Sequence, residues 1–158
     1  MKQVIVILSD IRSIYNVGSI FRTADGAGVE KIFLCGITPT PLDRFRKTRK
    51  DFTKVSLGAE KTIAWEYKKQ LSSLITKLKK EKYIICAVEQ TKNSIPYNTF
   101  KTKHKKIALV FGNEVKGISE KALKKCDTIL EIPMRGEKES LNVSVAFGVT
   151  IYDVIKNK

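Results

Sequence analysis

An α/β domain with a mostly parallel sheet flanked by helices is what this chain predicts, and three observations point there. Short β-branched runs alternate with longer amphipathic ones, which is the pattern of strand–helix–strand units. Three patches rich in small and polar residues each begin at or just after a candidate strand, where an open α/β sheet gathers a ligand site. The 158 residues carry no internal repeat and no linker rich in Pro, Gly or Ser. A single domain over residues 1–158 is therefore expected, with no separate second domain. At this size roughly 70% of the unfolded surface is buried, so neither disulfides nor a metal is needed to hold a core.

Taken in order, residues 4–8 read as the first strand. A helix over 17–27 follows, because Val17, Ile20, Phe21, Ala24 and Gly28 fall at i, i+3, i+4, i+7 and i+11. Asn16 is its expected N-cap. Gly18 lowers helix stability, so a bare Cα there is expected to serve a close approach. Arg22, one turn on, is expected to lean back across Gly18 toward Asn16, bringing a guanidinium to the positive end of the helix dipole, where an anion would have to join it. Strands are predicted over 31–35, 83–88, 107–111 and 128–132, the last ended by Pro133, which cannot donate in a central ladder. Helices are predicted over 66–80 and 119–125, the Lys-rich stretch 77–82 being a solvated helix end. The final segment, 143–156, is ambiguous by period. Val143, Val145, Phe147, Val149 and Ile151 alternate as in a strand, whereas Val143, Ala146, Phe147, Thr150 and Val154 fit a helix capped by Ser140 or Asn142. Read as a helix it is apolar on both sides, which suggests packing against a second subunit.

Charge sets the partner. Against 16 acidic side chains stand 30 basic ones, a formal net charge of +14, an excess that favours a polyanion through counterion release. Cys35, Cys86 and Cys126 are odd in number and far apart, and two lie in apolar strand-like runs, so no disulfide framework is expected and a reducing cytoplasm is. The one histidine, His104, lies in the cationic run 101–106. That context speaks against a His-based zinc site and a Ser-His-Asp triad, and no metal is expected. No signal peptide and no apolar stretch of about 18 residues is present, so no membrane span is expected.

The three patches are Asn16-Val-Gly18-Ser-Ile-Phe-Arg22, Phe111-Gly-Asn-Glu-Val-Lys-Gly117 and the segment 132–144, which holds Ile132-Pro133-Met134 and Ser140-Leu141-Asn142-Val143-Ser144. In the second, the Lys precedes the later Gly and no Gly-Lys-Ser/Thr follows, so it is not a P-loop. Gly26-Ala-Gly28 ends a helix instead of opening one, so it is not a dinucleotide fingerprint. Gly112 at a strand end is expected to let a ligand approach the backbone. Ser140 and Asn142, at the start of the last buried segment, supply hydrogen-bonding groups beside a helix N-terminus.

Together, in this order and at these separations, the patches resemble the three motifs of the SpoU (TrmH) family of RNA ribose methyltransferases, within the SPOUT superfamily. The resemblance runs from Val4 to about Asp153, and Leu57-Gly-Ala-Glu60 is also familial in character. It implies a SPOUT-type α/β knot with a deep C-terminal trefoil knot, bound S-adenosylmethionine and a homodimer. By position it implies that Gly112, Ile132, Met134, Ser140 and Leu141 hold the cofactor. Asn16, Arg22, Glu114, Ser140 and Asn142 would surround the reacting ribose, with Arg22 reaching the cofactor of the other chain. The family suspects Arg22 as the base. A free guanidinium stays protonated at ordinary pH, so the expectation here is that Arg22 grips the adjacent RNA phosphate and polarises the hydroxyl.

The implied activity is transfer of a methyl group from S-adenosylmethionine to a ribose 2′-hydroxyl of tRNA or rRNA. Arg44, Arg46, Lys47, Arg49 and Lys50, with the run 101–106, are the expected RNA contacts, and Phe45 and Phe52 are candidates for base stacking or for local anchoring. Two alternatives stand beside it: a catalytically silent RNA-binding or assembly module of the same fold, and a methyltransferase acting on a base nitrogen. The base-nitrogen branch lacks the Asn16-x-Gly18-x-x-x-Arg22 start.

Overall fold

The computed structural model describes residues 2–156. Seven strands form one sheet, β1 (Gln3–Ser9), β2 (Lys31–Cys35), β3 (Ala64–Lys68), β4 (Ile84–Val88), β5 (Ile95–Pro96), β6 (Lys106–Phe111) and β7 (Thr128–Glu131), in the order β3-β2-β1-β6-β4-β7-β5. Every pairing is parallel. A parallel sheet is covered on both faces, which is why β1 and β6 read as unbroken apolar runs. In β1, Val4, Val6 and Leu8 face one core while Ile5 and Ile7 face the other.

On the first face lie α1 (Ile14–Ala27), α2 (Lys50–Ser56), α3 (Ala59–Thr62) and α6 (Val143–Ile155); on the second lie α4 (Leu71–Lys80) and α5 (Glu120–Leu123). The last segment is thus a helix. Its buried residues Phe147, Thr150, Ile151 and Val154 recur at helical spacing. Phe147 meets Phe111 edge-on, with ring centroids 5.5 Å apart. Cys35 and Cys86 are buried in strands, and burial pushes the Cys35 thiol up to about 12, so both act as small hydrophobes.

Two element assignments need correction. The region 66–80 is not one helix. Ala64–Lys68 forms the edge strand β3, and the helix starts only at Leu71. Its Trp-Glu-Tyr-Lys pattern runs on into the helical period that follows, but Glu66 is fixed in the strand by Lys31 Nζ at 2.7 Å and by Lys68. Those two hydrogen bonds hold its carboxyl at about 2.

Asn16 is not the N-cap of α1. Ser13 is, its Oγ accepting from Asn16 N–H at 3.2 Å, so Asn16 sits inside the first turn with its amide free for other work. The segment after the basic stretch is helical: Lys50 opens α2, and Leu57 and Gly58, both at positive φ, turn the chain into α3. Phe52 is fully buried against Phe21, with centroids 5.1 Å apart, so of its two expected roles local anchoring holds and base stacking does not.

Gly18 does serve a close approach. A Cβ there would stand 3.1 Å from Val55 Cβ and 3.3 Å from the Phe52 carbonyl, so α2 crosses directly over it. Among the described residues no helix is long and apolar enough to cross a membrane.

Because all strands run the same way, their carboxyl ends share one edge. The loops 10–13, 89–94, 112–119 and 132–142 emerge there and build the site, and the loop 36–49 emerges beside them.

Candidate active site at the carboxyl edge of the sheet

The loop after β6 is shaped by its own chain. A Cβ at Gly112 would lie 2.6 Å from the Gly117 carbonyl carbon and from Ile118 Cγ1. Gly112 is therefore required by the closing of the loop on itself, and not only by the approach of a ligand. Asn113 Oδ1 accepts from the Val115 and Lys116 N–H groups at 2.9 and 2.8 Å. Gly117, at φ 67°, donates to the Asn113 carbonyl at 2.9 Å, and Asn113 Nδ2 donates to the Asp10 carbonyl at 2.8 Å.

This folded loop aims Glu114 at the start of α1. Its Oε2 accepts from Arg12 N–H at 3.0 Å, and its Oε1 from Ser13 N–H at 3.1 Å and Asn16 Nδ2 at 3.2 Å. Partial burial raises the carboxyl, but the hydrogen bonds from Arg12, its own N–H, Ser13 and Asn16 together outweigh that and hold it below the usual range. Glu114 is thus an ionised cap on a helix N-terminus, poorly suited to take a proton at neutral pH.

The chain of contacts continues through Asn16, which is buried. Its Oδ1 accepts from Asn142 Nδ2 at 3.1 Å, while Asn142 Oδ1 accepts from Ser144 N–H at 2.9 Å and Ser144 Oγ at 2.6 Å, capping α6. One hydrogen-bonded line, Glu114–Asn16–Asn142, thus ties the second patch to the first and the first to the third.

Beside that line opens a cleft of about 500 Å³ at the ends of β4, β6 and β7. Gly112, Ile132, Met134, Ser140 and Leu141, the five residues expected at a cofactor, all line it, with Glu114 and Asn142. Asn16 lies behind the wall. Arg22 is exposed on α1 and lines no part of the cleft; among the described residues it has no hydrogen bond and no ion pair, so the expected reach toward Asn16 forms no hydrogen bond, while α2 packs over Gly18.

Sequence reasoning missed the cleft's charge. Glu89, Glu131 and Glu139 join Glu114 on the wall, and among the described residues no Lys or Arg lines it, in a chain of net charge +14. Glu89 was findable, since it directly follows a predicted strand. Its Oε2 accepts from Ile118 N–H at 3.1 Å, bracing the 112–118 loop from below. The basic residues lie apart. Asp43 Oδ1 gathers the Phe45 and Lys47 N–H groups at 2.8 and 2.9 Å, folding 43–47 into a tight turn. That turn exposes Arg44, Arg46 and Lys47, with Phe45 69% exposed beneath the Arg44 guanidinium. Lys50 is exposed at the start of α2, whereas Arg49 is engaged by Asp51.

The model of the SpoU rRNA methylase family matches residues 3–152, all but a few residues of the chain. The chain belongs to that family. A 23S rRNA (guanosine-2′-O-)-methyltransferase, RlmB, of Ralstonia nicotianae is 29% identical over 155 residues, covering 98% of this chain and 59% of that protein. The RlmB of Pectobacterium atrosepticum is 30% identical over 154 residues, 98% of this chain and 60% of that protein. The SpoU chain described here therefore spans about three fifths of the length of these curated relatives.

Among solved structures, the A. aeolicus TrmH/SpoU tRNA modifying enzyme superposes with a TM-score of 0.85 at 26% identity, over 99% of this chain and 75% of that one. A structure described by the 2-OH methylation of C/U34 on tRNA shares the fold, with a TM-score of 0.80 at 21% identity over 96% of this chain and 93% of that one. The parallel sheet with flanking helices is thus the SPOUT methyltransferase fold.

Proposed function

We propose that this SpoU chain is an S-adenosylmethionine-dependent RNA methyltransferase that modifies a ribose 2′-hydroxyl of tRNA or rRNA. The observation that carries the reading is the Glu114–Asn16–Asn142 line, which joins the family's three motifs beside a cleft walled by carboxylates. The cleft's chemistry fits the cofactor. A volume near 500 Å³ lies within the range of small-molecule sites, about 300–1,000 Å³. Four carboxylates without a facing Lys or Arg suit a ligand bearing a sulfonium and an ammonium. Gly112, Ile132, Met134 and Leu141 would frame it through backbone edges and apolar contact, with Ser140 beside them. Bound there, the cofactor supplies a methyl group on a good leaving group, so the protein's task is orientation and proton removal.

The chain's own residues divide that task. Glu114 and Asn16 act as positioning residues, since their polar atoms are engaged with one another and with α1. Asn142 fixes the end of the 132–142 loop, and Ser140, exposed on the wall, is free to meet the ribose. Arg22 grips the phosphate next to the target ribose and polarises the hydroxyl, and the proton leaves to that phosphate or to water.

Arg22 stands outside its own chain's cleft, so this role calls for a homodimer in which it completes the partner's site. Exposed Tyr15, Val145 and Tyr152 on α1 and α6 support that pairing. The same reading includes the deep trefoil knot at 112–142 and a cytoplasmic site of action, to which the three free thiols are suited. The turn at 43–47 with Lys50 and the run 101–106 would draw in RNA.

Two measurements test the proposal. Calorimetry with S-adenosylmethionine should give stoichiometric binding that is lost on filling the cleft with Ser140→Trp. Mass spectrometry of nucleosides from tRNA and rRNA incubated with protein and cofactor should show a new 2′-O-methyl nucleoside. Binding without any methylated product would favour the silent module, and a methylated base would favour the base-nitrogen reading.

A further inference from the structure

We propose that a second cleft, on the opposite side of the 112–118 loop, is a binding site for a phosphodiester of the RNA strand; this rests on the reading of the protein as an RNA methyltransferase. The cleft holds about 330 Å³ between the carboxyl end of β1, the start of α4 and the start of α5. Gly117 lines both clefts, so one residue's thickness of loop separates them.

Three independent features suit an anion. The first turn of α4 carries no acidic residue, and its N-cap Gln70 makes no side-chain capping bond, which leaves first-turn N–H groups unmet at the positive end of a ten-residue helix. Lys69 and Lys121 stand on the rim, both exposed and neither ion-paired among the described residues. Ser9 is only 8% exposed, lies on the α4 side of β1 with Ile5 and Ile7, and lines the cleft. Its hydroxyl makes no hydrogen bond to any described residue. Its Oγ is reached from the cleft and is not one of the fully shielded unpartnered atoms, so it is free to donate to a ligand bound there.

One carboxylate, Asp10, shares the wall, but its Oδ1 is taken by the Ile37 N–H at 3.1 Å. Position selects RNA as the source of the anion. Both clefts open on the carboxyl edge of the sheet, so a strand presenting its ribose at the first would carry a neighbouring phosphate past the second. Lys125, farther along the α4–α5 side, extends the positive surface, whereas Lys79 there is paired with Asp127.

The test follows backbone amides of ¹⁵N-labelled protein during titration with inorganic phosphate at constant ionic strength. Resonances of Leu71, Ser72 and Ser73 should move and saturate. Lys69→Ala/Lys121→Ala should weaken that response about tenfold or more while leaving the rest of the spectrum unchanged. A single-stranded RNA of about 12 nucleotides should displace the phosphate, and the double variant should lower the salt slope of its binding by about 0.7, one phosphate contact.

Amides that stay still under phosphate, or a response unaltered in the double variant, overturn the site. A response that RNA fails to displace overturns its assignment to RNA. Cofactor calorimetry on the same sample separates the two readings. If S-adenosylmethionine binds normally while these amides stay silent, only this inference falls; if it does not bind, the reading of the first cleft falls as well.

Discussion

The two sides of the sheet are covered by helices that finish the job differently. On one side α4 buries only Leu74, Ile75 and Leu78 and turns Lys77, Lys79 and Lys80 to solvent, so its amphipathicity is complete. On the other, α6 buries Phe147, Ile151 and Val154 yet leaves Val145 and Tyr152 about half exposed, and α1 leaves Tyr15 66% exposed. Tyr15, Ser19 and Arg22 share one face of α1 by their spacing, as Val145 and Tyr152 share one face of α6. The small residues between these helices, Gly26 under the Tyr152 hydroxyl and Gly148 near Thr23, let them pack tightly. An outer face that stays apolar and carries an unpaired arginine asks for a partner; a lysine-covered one asks for water or a polyanion. The difference teaches that burial in one chain is not the whole specification of this sequence.

The sharpest way to break that contrast is at Arg22. Arg22→Ala should lower methyl transfer by about a hundredfold or more, and Arg22→Lys should not restore it, because a point charge does not reproduce the guanidinium fork. Cofactor affinity measured by calorimetry should stay unchanged in both. Turnover within a few fold of the parent would remove Arg22 from the site.

Tyr152→Glu, which sets a charge in the exposed apolar face, should convert a dimer to a monomer in sedimentation velocity and abolish turnover while the circular-dichroism spectrum persists. Lys79→Glu on the opposite face should leave sedimentation as it was. Equal behaviour of the two variants would erase the distinction between the faces.

Asn16→Ala probes the line that crosses from α1 to both loops. It strips a hydrogen-bond partner from Glu114 and from Asn142 at once and should cost about 1–3 kcal/mol in urea unfolding. A loss within experimental scatter would mean that the loops hold their places without it.

Acid should act through Glu114 and Glu66. Both carboxyls are held below their ordinary value in the folded chain, so each contributes stability that is present above the unfolded value and lost as pH falls through the folded one. For Glu66 that window runs from 4.5 down to about 2, and Glu66→Gln should flatten it in thermal melts followed against pH. Glu114→Gln should flatten the acid limb at and below the ordinary Glu range. Unaltered limbs in both variants would show that other carboxylates govern acid unfolding.

The five longer strands were legible because a strand covered on both faces needs an apolar run, which 4–8, 31–35, 83–88 and 107–111 supply, and because 128–132 keeps Ile129, Leu130 and Ile132 around a single Glu131 before Pro133. The edge strands β3 and β5 were not, since an edge needs only half a pattern and two or five residues of it. Helix α2 hid behind the basic stretch for a similar reason: Phe52 and Ser56 alone carry its buried face.

At the cleft, Gly112, Ile132, Met134, Ser140 and Leu141 could be named in advance because their motifs have fixed order and spacing. The acidic wall as a whole could not, although Glu89 follows a legible strand: Glu89 follows β4, Glu114 follows β6, and Glu131 and Glu139 belong to the end of β7 and its loop, and only the strand order makes these ends neighbours.

By itself the sequence determined the alternation of strands and helices, the excess of positive charge and the three patches with their family. Those are properties of local period and spacing, which survive without knowledge of the fold. The tertiary structure alone decided that Asn16 leaves the cap to Ser13 and bridges Glu114 to Asn142, that Phe52 is core while Phe45 is surface, and that Arg22 stands outside the cleft of its own chain. Each of these turns on which residues far apart in sequence become neighbours across a parallel sheet, and hydrogen bonds spanning 98 and 126 residues are chosen by strand order, not by the local pattern at either end.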